Sequence, residues 1–299
     1  MMRYRKVSDY FKEIFSCKVQ KIAVNAGLGC PNRDGTVGTG GCIYCNNAAF
    51  NPAYAHLSCG SITDQLAAGV KFCSGKGDPG VYLAYFQSYS NTYGPLERLV
   101  PLYEEALAFP GVAGLVIATR PDCLSSELLD WLEGRFGSKA PQGHPYLLVE
   151  LGVESTSDKT LELINRGHDF QTAAEAIREL DRRGIDVGAH LILGLPGETE
   201  EDFMQHATRI SQLPIRTLKL HQLQVIKGTP LARQYEQDPE ALKLFSAEEY
   251  AQLLSRFIAE LREDIALDRL VSESPKDLLM APCWGLKPSE FSTLLDTYL

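Results

Sequence analysis

The stretch "KIAVNAGLGCPNRDGTVGTGGCIYC" (residues 21–45) joins an apolar, β-branched run to a glycine-rich loop that carries three cysteines. Its first seven residues read as a strand. The loop after them spaces its thiols C-x11-C-x2-C, at Cys30, Cys42 and Cys45. Glycines 35, 38, 40 and 41 let the backbone fold closely around a guest without Cβ obstruction. In a parallel βα architecture the working residues follow the C-terminal ends of the strands, and this loop stands in such a place.

Five more apolar runs repeat the opening: "VYLAYFQ" (81–87), "GLVIATR" (114–120), "YLLVELGVE" (146–154), "DVGAHLILGL" (186–195) and "TLKLHQLQVI" (217–226). Their near-continuous apolar character fits strands covered on both faces. Segments with apolar residues at i, i+3 or i+4 alternate with them, several opened by Ser or Thr, as in "SITDQLAAGVKF" and "TEEDFMQHATRISQL". The pattern predicts an α/β fold, a partial (β/α)6 TIM-like barrel with short N- and C-terminal extensions. The expected divisions are a basic extension over 1–20, the barrel over 21–232 and a helical extension packed on it over 233–299.

The chain has 299 residues, 44% hydrophobic and 22% charged, enough for a substantial core. No apolar run approaches the ~20 residues of a membrane span, and the N-terminus lacks the apolar core of a signal peptide. A cytoplasmic protein without membrane contact is the expectation, and there its eight cysteines stay reduced. Net charge is −9, which argues against wholesale coating of nucleic acid. Residues 1–21 depart from this, with six basic side chains (Arg3, Arg5, Lys6, Lys12, Lys18, Lys21) against Asp9 and Glu13. They make either a basic tongue for phosphates or a solvated amphipathic helix.

Structural zinc usually takes four protein ligands, often as two close pairs. Iron–sulfur clusters are commonly held by four cysteines, so three leave one iron open for a small molecule. Three unrelated buried thiols, or a zinc completed by a histidine such as His56, are the alternatives. No second C-x2-C pair exists among Cys17, Cys59, Cys73, Cys123 and Cys283.

The loop "CPNRDGTVGTGGCIYC" resembles that of the radical S-adenosylmethionine (SAM) enzymes. The likeness is to the branch that includes the catalytic subunit of Elongator and the oxygen-independent coproporphyrinogen oxidases, and in wording to the bacterial YhcC-type members. Most of that superfamily spaces its cysteines C-x3-C-x2-C, and the longer first gap is typical of this smaller branch. Four later segments carry the resemblance, which covers roughly residues 3–290. "IATRPDCL" (117–124) is similar to "ETRPD", with Ala118 where Elongator-like members have glutamate. "LGVESTSDKTLELINRGHD" (151–169) resembles "GVQS…NRGH", with Glu154 for glutamine. "HLILGLPGETEEDF" (190–203) matches the later half of G-x-I-x-G-x-x-x-E, with His190 at the first glycine. "LHQLQVIKGTPLA" (220–232) resembles the adenine-side segment that ends in "GTPL". The glycine-rich second-strand motif is absent, and "YFQSYSNTY" (85–93) occupies its place.

The resemblance implies a [4Fe-4S] cluster on Cys30, Cys42 and Cys45, whose open iron takes the amino and carboxylate groups of S-adenosyl-L-methionine. Arg166 is the implied fork for the carboxylate. Glu154 and His190 would receive ribose hydroxyls, Tyr44 and the backbone near Val225 would flank the adenine, and Gln87 and Ser88 would substitute for the missing motif. Structural roles compete at each position: Arg166 as a helix cap, Glu154 as its ion-pair partner, His190 as a hydrogen-bonded core residue. Cys283 is either a radical relay or methyl acceptor or an ordinary thiol, and Trp284 a core or rim aromatic.

The neighbourhood of Elongator implies tRNA as substrate, at a wobble-uridine side chain. An external electron donor such as flavodoxin or ferredoxin would complete the partners. Two other readings stay open: a small metabolite or porphyrin-like substrate, expected if the basic N-terminal segment proves buried against the barrel, and a non-catalytic zinc-binding protein.

Overall fold

A computed structural model describes residues 4–49, 52–55, 60–77 and 79–299; Arg3, His56 and Cys59 lie outside them. Ten strands are present among these: β1 (Arg5–Lys6), β2 (Val19–Val24), β3 (Val81–Phe86), β4 (Val112–Thr119), β5 (Tyr146–Glu154), β6 (Asp186–Leu193), β7 (Thr217–Gln222), β8 (Val225–Ile226), β9 (Ala266–Arg269) and β10 (Leu279–Ala281). Eight form one sheet in the order β1-β9-β7-β6-β5-β4-β3-β2, with every neighbouring pair parallel. The sheet curls into a partial barrel. Six of its strands were expected from sequence; β9 and β1 extend it by two. The last expected strand ends at Gln222 instead of running to 226, and β8 pairs antiparallel with β10 outside the barrel sheet.

The helices are α1 (Val7–Phe15), α2 (Pro31–Asp34), α3 (Ile62–Cys73), α4 (Leu96–Leu107), α5 (Ser126–Phe136), α6 (Asp158–Leu163), α7 (Phe170–Arg182), α8 (Glu200–Ser211), α9 (Pro230–Gln237), α10 (Ala247–Glu260) and α11 (Pro288–Asp296). None is long and apolar enough to cross a membrane. The start signals read from sequence are real caps. Ser61 with Asp64, Thr199 with Asp202 and Ser246 with Glu249 close reciprocal capping boxes that satisfy first-turn N–H groups.

Side chains on a strand alternate between faces, and the two faces here differ in character. Ile22, Val24, Phe86, Leu115, Ile117, Val149 and Leu151 point outward into the main core beneath the helices. Ala23, Leu83, Val116, Leu148 and Ala266 point inward and pack on Tyr10 and Phe11 of α1. The Phe11 ring meets Tyr146 edge-on at 6.0 Å, and Tyr10 OH donates to Asp186 Oδ2 at 2.5 Å. Tyr146 and Asp186 open β5 and β6, so α1 plugs the N-terminal end of the barrel, opposite the cysteine loop.

Two of the basic side chains of the N-terminal segment have partners within the fold. Arg5 is ion-paired to Glu13 and donates to the Asp264 carbonyl. Lys21 turns into the barrel, where its Nζ lies 2.5 Å from Asp268 Oδ2 and 3.3 Å from Glu150 Oε1. Lys21 belongs to β2 at one end of the sheet and Asp268 to β9 near the other. Their contact bridges the open seam.

Candidate active site

Above the apolar plug the inward positions turn polar. Glu150, only 1% exposed, accepts from Lys219 Nζ at 2.7 Å and from His190 Nε2 at 2.9 Å, in addition to Lys21. Lys219 also donates to Tyr85 OH at 3.0 Å and stands 3.3 Å from Asp268. Burial alone would raise the Glu150 carboxyl, but the two ammonium groups and the His190 hydrogen bond hold it well below the usual carboxylate range. Burial, followed by the nearby Lys219 charge, lowers His190, so a neutral imidazole presents its Nε2–H to the carboxylate. His221, its ring centroid 5.6 Å from that of His190, is held well below its ordinary value mainly by burial.

This network floors an open cavity of about 1250 Å³, mouth included, at the C-terminal ends of the strands. Cys30, Cys42 and Cys45 line it together with Tyr44, Gln87, Glu154, Arg166 and His190. Ser88 is buried and does not line it; Ser90, two residues on, does. Val225 is fully buried on β8, and Leu223 and Gln224 line the wall in its place. Cys283 is exposed and lies outside the lining. Trp284 is a packing aromatic, stacked on Phe291 at 5.5 Å with its Nε1–H on the Phe245 carbonyl.

The cysteine loop is shaped from within. Gly40 and Gly41 have φ of 79° and 82°, two successive left-handed residues that side chains resist. Asn32, fully buried, donates to the Asn165 carbonyl at 2.6 Å and to Cys42 Sγ at 3.6 Å. Arg166 Nη1 approaches the same sulfur at 3.6 Å, so two N–H groups point at it. Burial pushes the Cys45 thiol up to about 11, with the Cys42 thiol adding to it. A bound cation removes such a proton outright.

At the end of β5, Glu154 has φ of 68°, strained for a non-glycine residue, and its carboxylate stands 3.5 Å from Arg166 Nη2. A Cβ on Gly152 would fall 2.6 Å from both groups, so the glycine leaves them the room in which they approach. Arg166 also donates from Nε to His168 Nε2 at 3.0 Å and from Nη2 to the Gly152 carbonyl. Both the ion pair and the cavity-facing position expected of these residues occur together.

Five buried side-chain polar atoms lack a hydrogen-bond partner among the described residues, and two belong to residues that line this cavity: Ser90 Oγ and Arg120 Nη1. Orphaned polar atoms around three thiols fit a polar guest. No three described His, Cys, Asp or Glu side chains converge as a single metal ion requires. The thiols instead share the wall of a cavity, which suits a larger inorganic core.

The partial parallel barrel with three cysteines after its first barrel strand, β2, defines the class. The Radical SAM superfamily model matches residues 24–210 and the Radical_SAM C-terminal domain model residues 215–299; the chain belongs to the radical SAM superfamily. It is 36% identical over 292 residues to the uncharacterized protein YtqA of Bacillus subtilis, covering 96% of this chain and 87% of that one. It is 35% identical over 283 residues to protein YhcC of Escherichia coli, covering 94% and 87%. A tRNA uridine(34) acetyltransferase of Methanocaldococcus infernus is 27% identical over 190 residues, covering 62% of this chain and 33% of that one. Among solved structures, the archaeal Methanocaldococcus infernus Elp3 with an N-terminal deletion superposes with a TM-score of 0.64 at 18% identity, over 94% of this chain and 62% of that one. That last likeness is one of fold.

Sequence reading missed Glu150, Lys219, His221, Tyr85, Ser90 and Arg120 as cavity residues. The signal was available in part: Glu150 and Lys219 are charges set in the middle of apolar runs.

Proposed function

We propose that Cys30, Cys42 and Cys45 hold a [4Fe-4S] cluster and that the protein reductively cleaves SAM to modify a wobble-uridine side chain of tRNA, in the cytoplasm. The observation that carries the cofactor reading is one cavity lined by all three thiols and by orphaned buried polar atoms. The cluster, reduced by an external donor, would supply the electron that breaks a C–S bond of SAM to methionine and a 5′-deoxyadenosyl radical for hydrogen abstraction. The chain's part is positioning and water exclusion. Tyr44 and the Leu223–Gln224 backbone would flank the adenine, and Glu154 would face the ribose. His190 has its Nε2–H committed to Glu150, so only Nδ1 remains for a hydroxyl.

The tRNA reading is supported by the relative named for tRNA uridine(34) and by the mouth of the cavity. Arg33 and Arg269 line it, are exposed, and have no acidic partner among the described residues. They are available to phosphates at the mouth of the cavity. The position of α1 at the opposite end favours a second reading, a small anionic metabolite. Nucleoside mass spectrometry of tRNA from a deletion strain separates the two: loss of a modified wobble uridine is expected, and an unchanged profile would reject tRNA. Anaerobic reconstitution tests the cofactor. Near-stoichiometric iron and sulfide with 5′-deoxyadenosine release on reduction are expected, whereas a colourless zinc protein would overturn it.

A further inference from the structure

Arg166 is the arginine that the family resemblance assigns to the carboxylate of SAM, yet its donors are nearly spent. Of five N–H groups, one goes to His168, one to Cys42 Sγ, one to the Gly152 carbonyl and one faces Glu154. At most one remains. Arg120 is in the reverse situation. Its Nε and Nη2 form a two-point contact with Asp122, at 2.8 and 2.7 Å, and Nη1 has no partner, although the residue is only 2% exposed and lines the cavity.

Ser90 supplies the second half. It is 1% exposed, lines the same cavity, and its hydroxyl makes no hydrogen bond of ordinary geometry among the described residues, the Cys123 sulfur being only a weak acceptor beside it. Its backbone N–H donates to the Gly29 carbonyl at 3.2 Å, which pins it beside Cys30. A buried arginine N–H and a buried hydroxyl left open in one cavity wall are costly unless a ligand fills them. An arginine N–H and a hydroxyl in the wall of one cavity suit a carboxylate.

We propose that Arg120 and Ser90 are the receiving pair for the methionyl carboxylate of SAM, and that Arg166 instead braces Cys42 and Glu154. The inference rests on the reading of the protein as a SAM enzyme. Ser90 stands in the segment that occupies the place of the missing glycine-rich motif.

The test is SAM affinity of the anaerobically reconstituted protein by calorimetry, with decarboxylated SAM as the second probe and thermal unfolding of each protein without ligand as the third measurement. For Ser90→Ala, the expected results are SAM binding about ten-fold weaker (about 1.4 kcal/mol), equal affinity of variant and wild type for decarboxylated SAM, and an unfolding temperature unchanged or raised. The stability arm matters because deleting a hydroxyl with no partner relieves the unliganded fold while harming the complex. Arg120→Lys keeps a cation beside Asp122 and should weaken SAM further, again with no added loss for decarboxylated SAM. A loss of SAM affinity below five-fold in Ser90→Ala, or an equal loss with decarboxylated SAM, overturns the proposal. Wild-type protein that carries the cluster but binds no SAM fails the functional reading itself.

Discussion

Replacing Lys219 with Met removes a cation from the floor of the barrel while keeping most of its stem. Lys219 lies between two carboxylates, Glu150 at 2.7 Å and Asp268 at 3.3 Å, and its side chain is 6% exposed. Breaking one side of a buried ion pair costs ~3–5 kcal/mol. Lys21 stays in place and still touches both carboxylates, so the lower end, about 3 kcal/mol, applies. At roughly 2–4 °C per kcal/mol for a chain of this class, the melting temperature should fall by about 6–12 °C. The effect should also depend on pH. Glu150 in the wild type is held below its unfolded value, so its contribution is complete above the unfolded carboxylate range and is lost as pH falls through the folded value. In the variant the carboxyl loses its main counter-charge and protonates more readily. The gap in melting temperature should therefore be widest near pH 7.5 and narrow toward pH 4.5, as followed by circular dichroism. Adding Glu150→Gln should recover at least half of it. A variant that melts within about 2 °C of wild type at pH 7.5, or with the same gap at both pH values, would refute the view that these charges brace the barrel.

Other outcomes follow from the same geometry. Phe11→Ala should cost ~3–5 kcal/mol by opening a cavity under the barrel, seen in chemical denaturation, while leaving SAM affinity unchanged because α1 lies at the far end. Substituting Ser for Cys30, Cys42 or Cys45 singly should lower iron and sulfide after anaerobic reconstitution to a small fraction of wild type, without loss of helical signal. His168 is pushed down to about 4, by burial first and then by Arg166, so it is neutral in the fold and protonates more easily when unfolded. Stability should accordingly fall as pH drops from about 6.5 toward 4, and His168→Asn should flatten that part of the profile in thermal melts.

What could be read in advance follows the strength of local signals. The long strands and capped helices announced themselves because periodicity and caps act within a few residues, as at Ser61–Asp64 and Thr199–Asp202. β9 has four residues and β1 two, too short for any pattern, and both exist only because the curled sheet offers them a partner. The run "YLLVELGVE" looked covered on both faces, yet every second residue from Leu148 faces a concave interior. Glu150 is tolerated there because Lys21, His190 and Lys219 arrive from three other strands, a coincidence of tertiary structure. The cysteines were legible because chemistry fixes their spacing. Ser90 and Arg120 were not, because what marks them is a missing hydrogen bond.

The parallel pairing of Arg5 with Ala266 and Lys6 with Leu267 joins almost the first residues of the chain to some of the last. During synthesis the N-terminal segment has no strand to meet until some 260 residues have followed it. Lys21, likewise, waits for Asp268 to emerge. The seam of the barrel can therefore close only once β9 has been made, long after the loop that carries Cys30, Cys42 and Cys45.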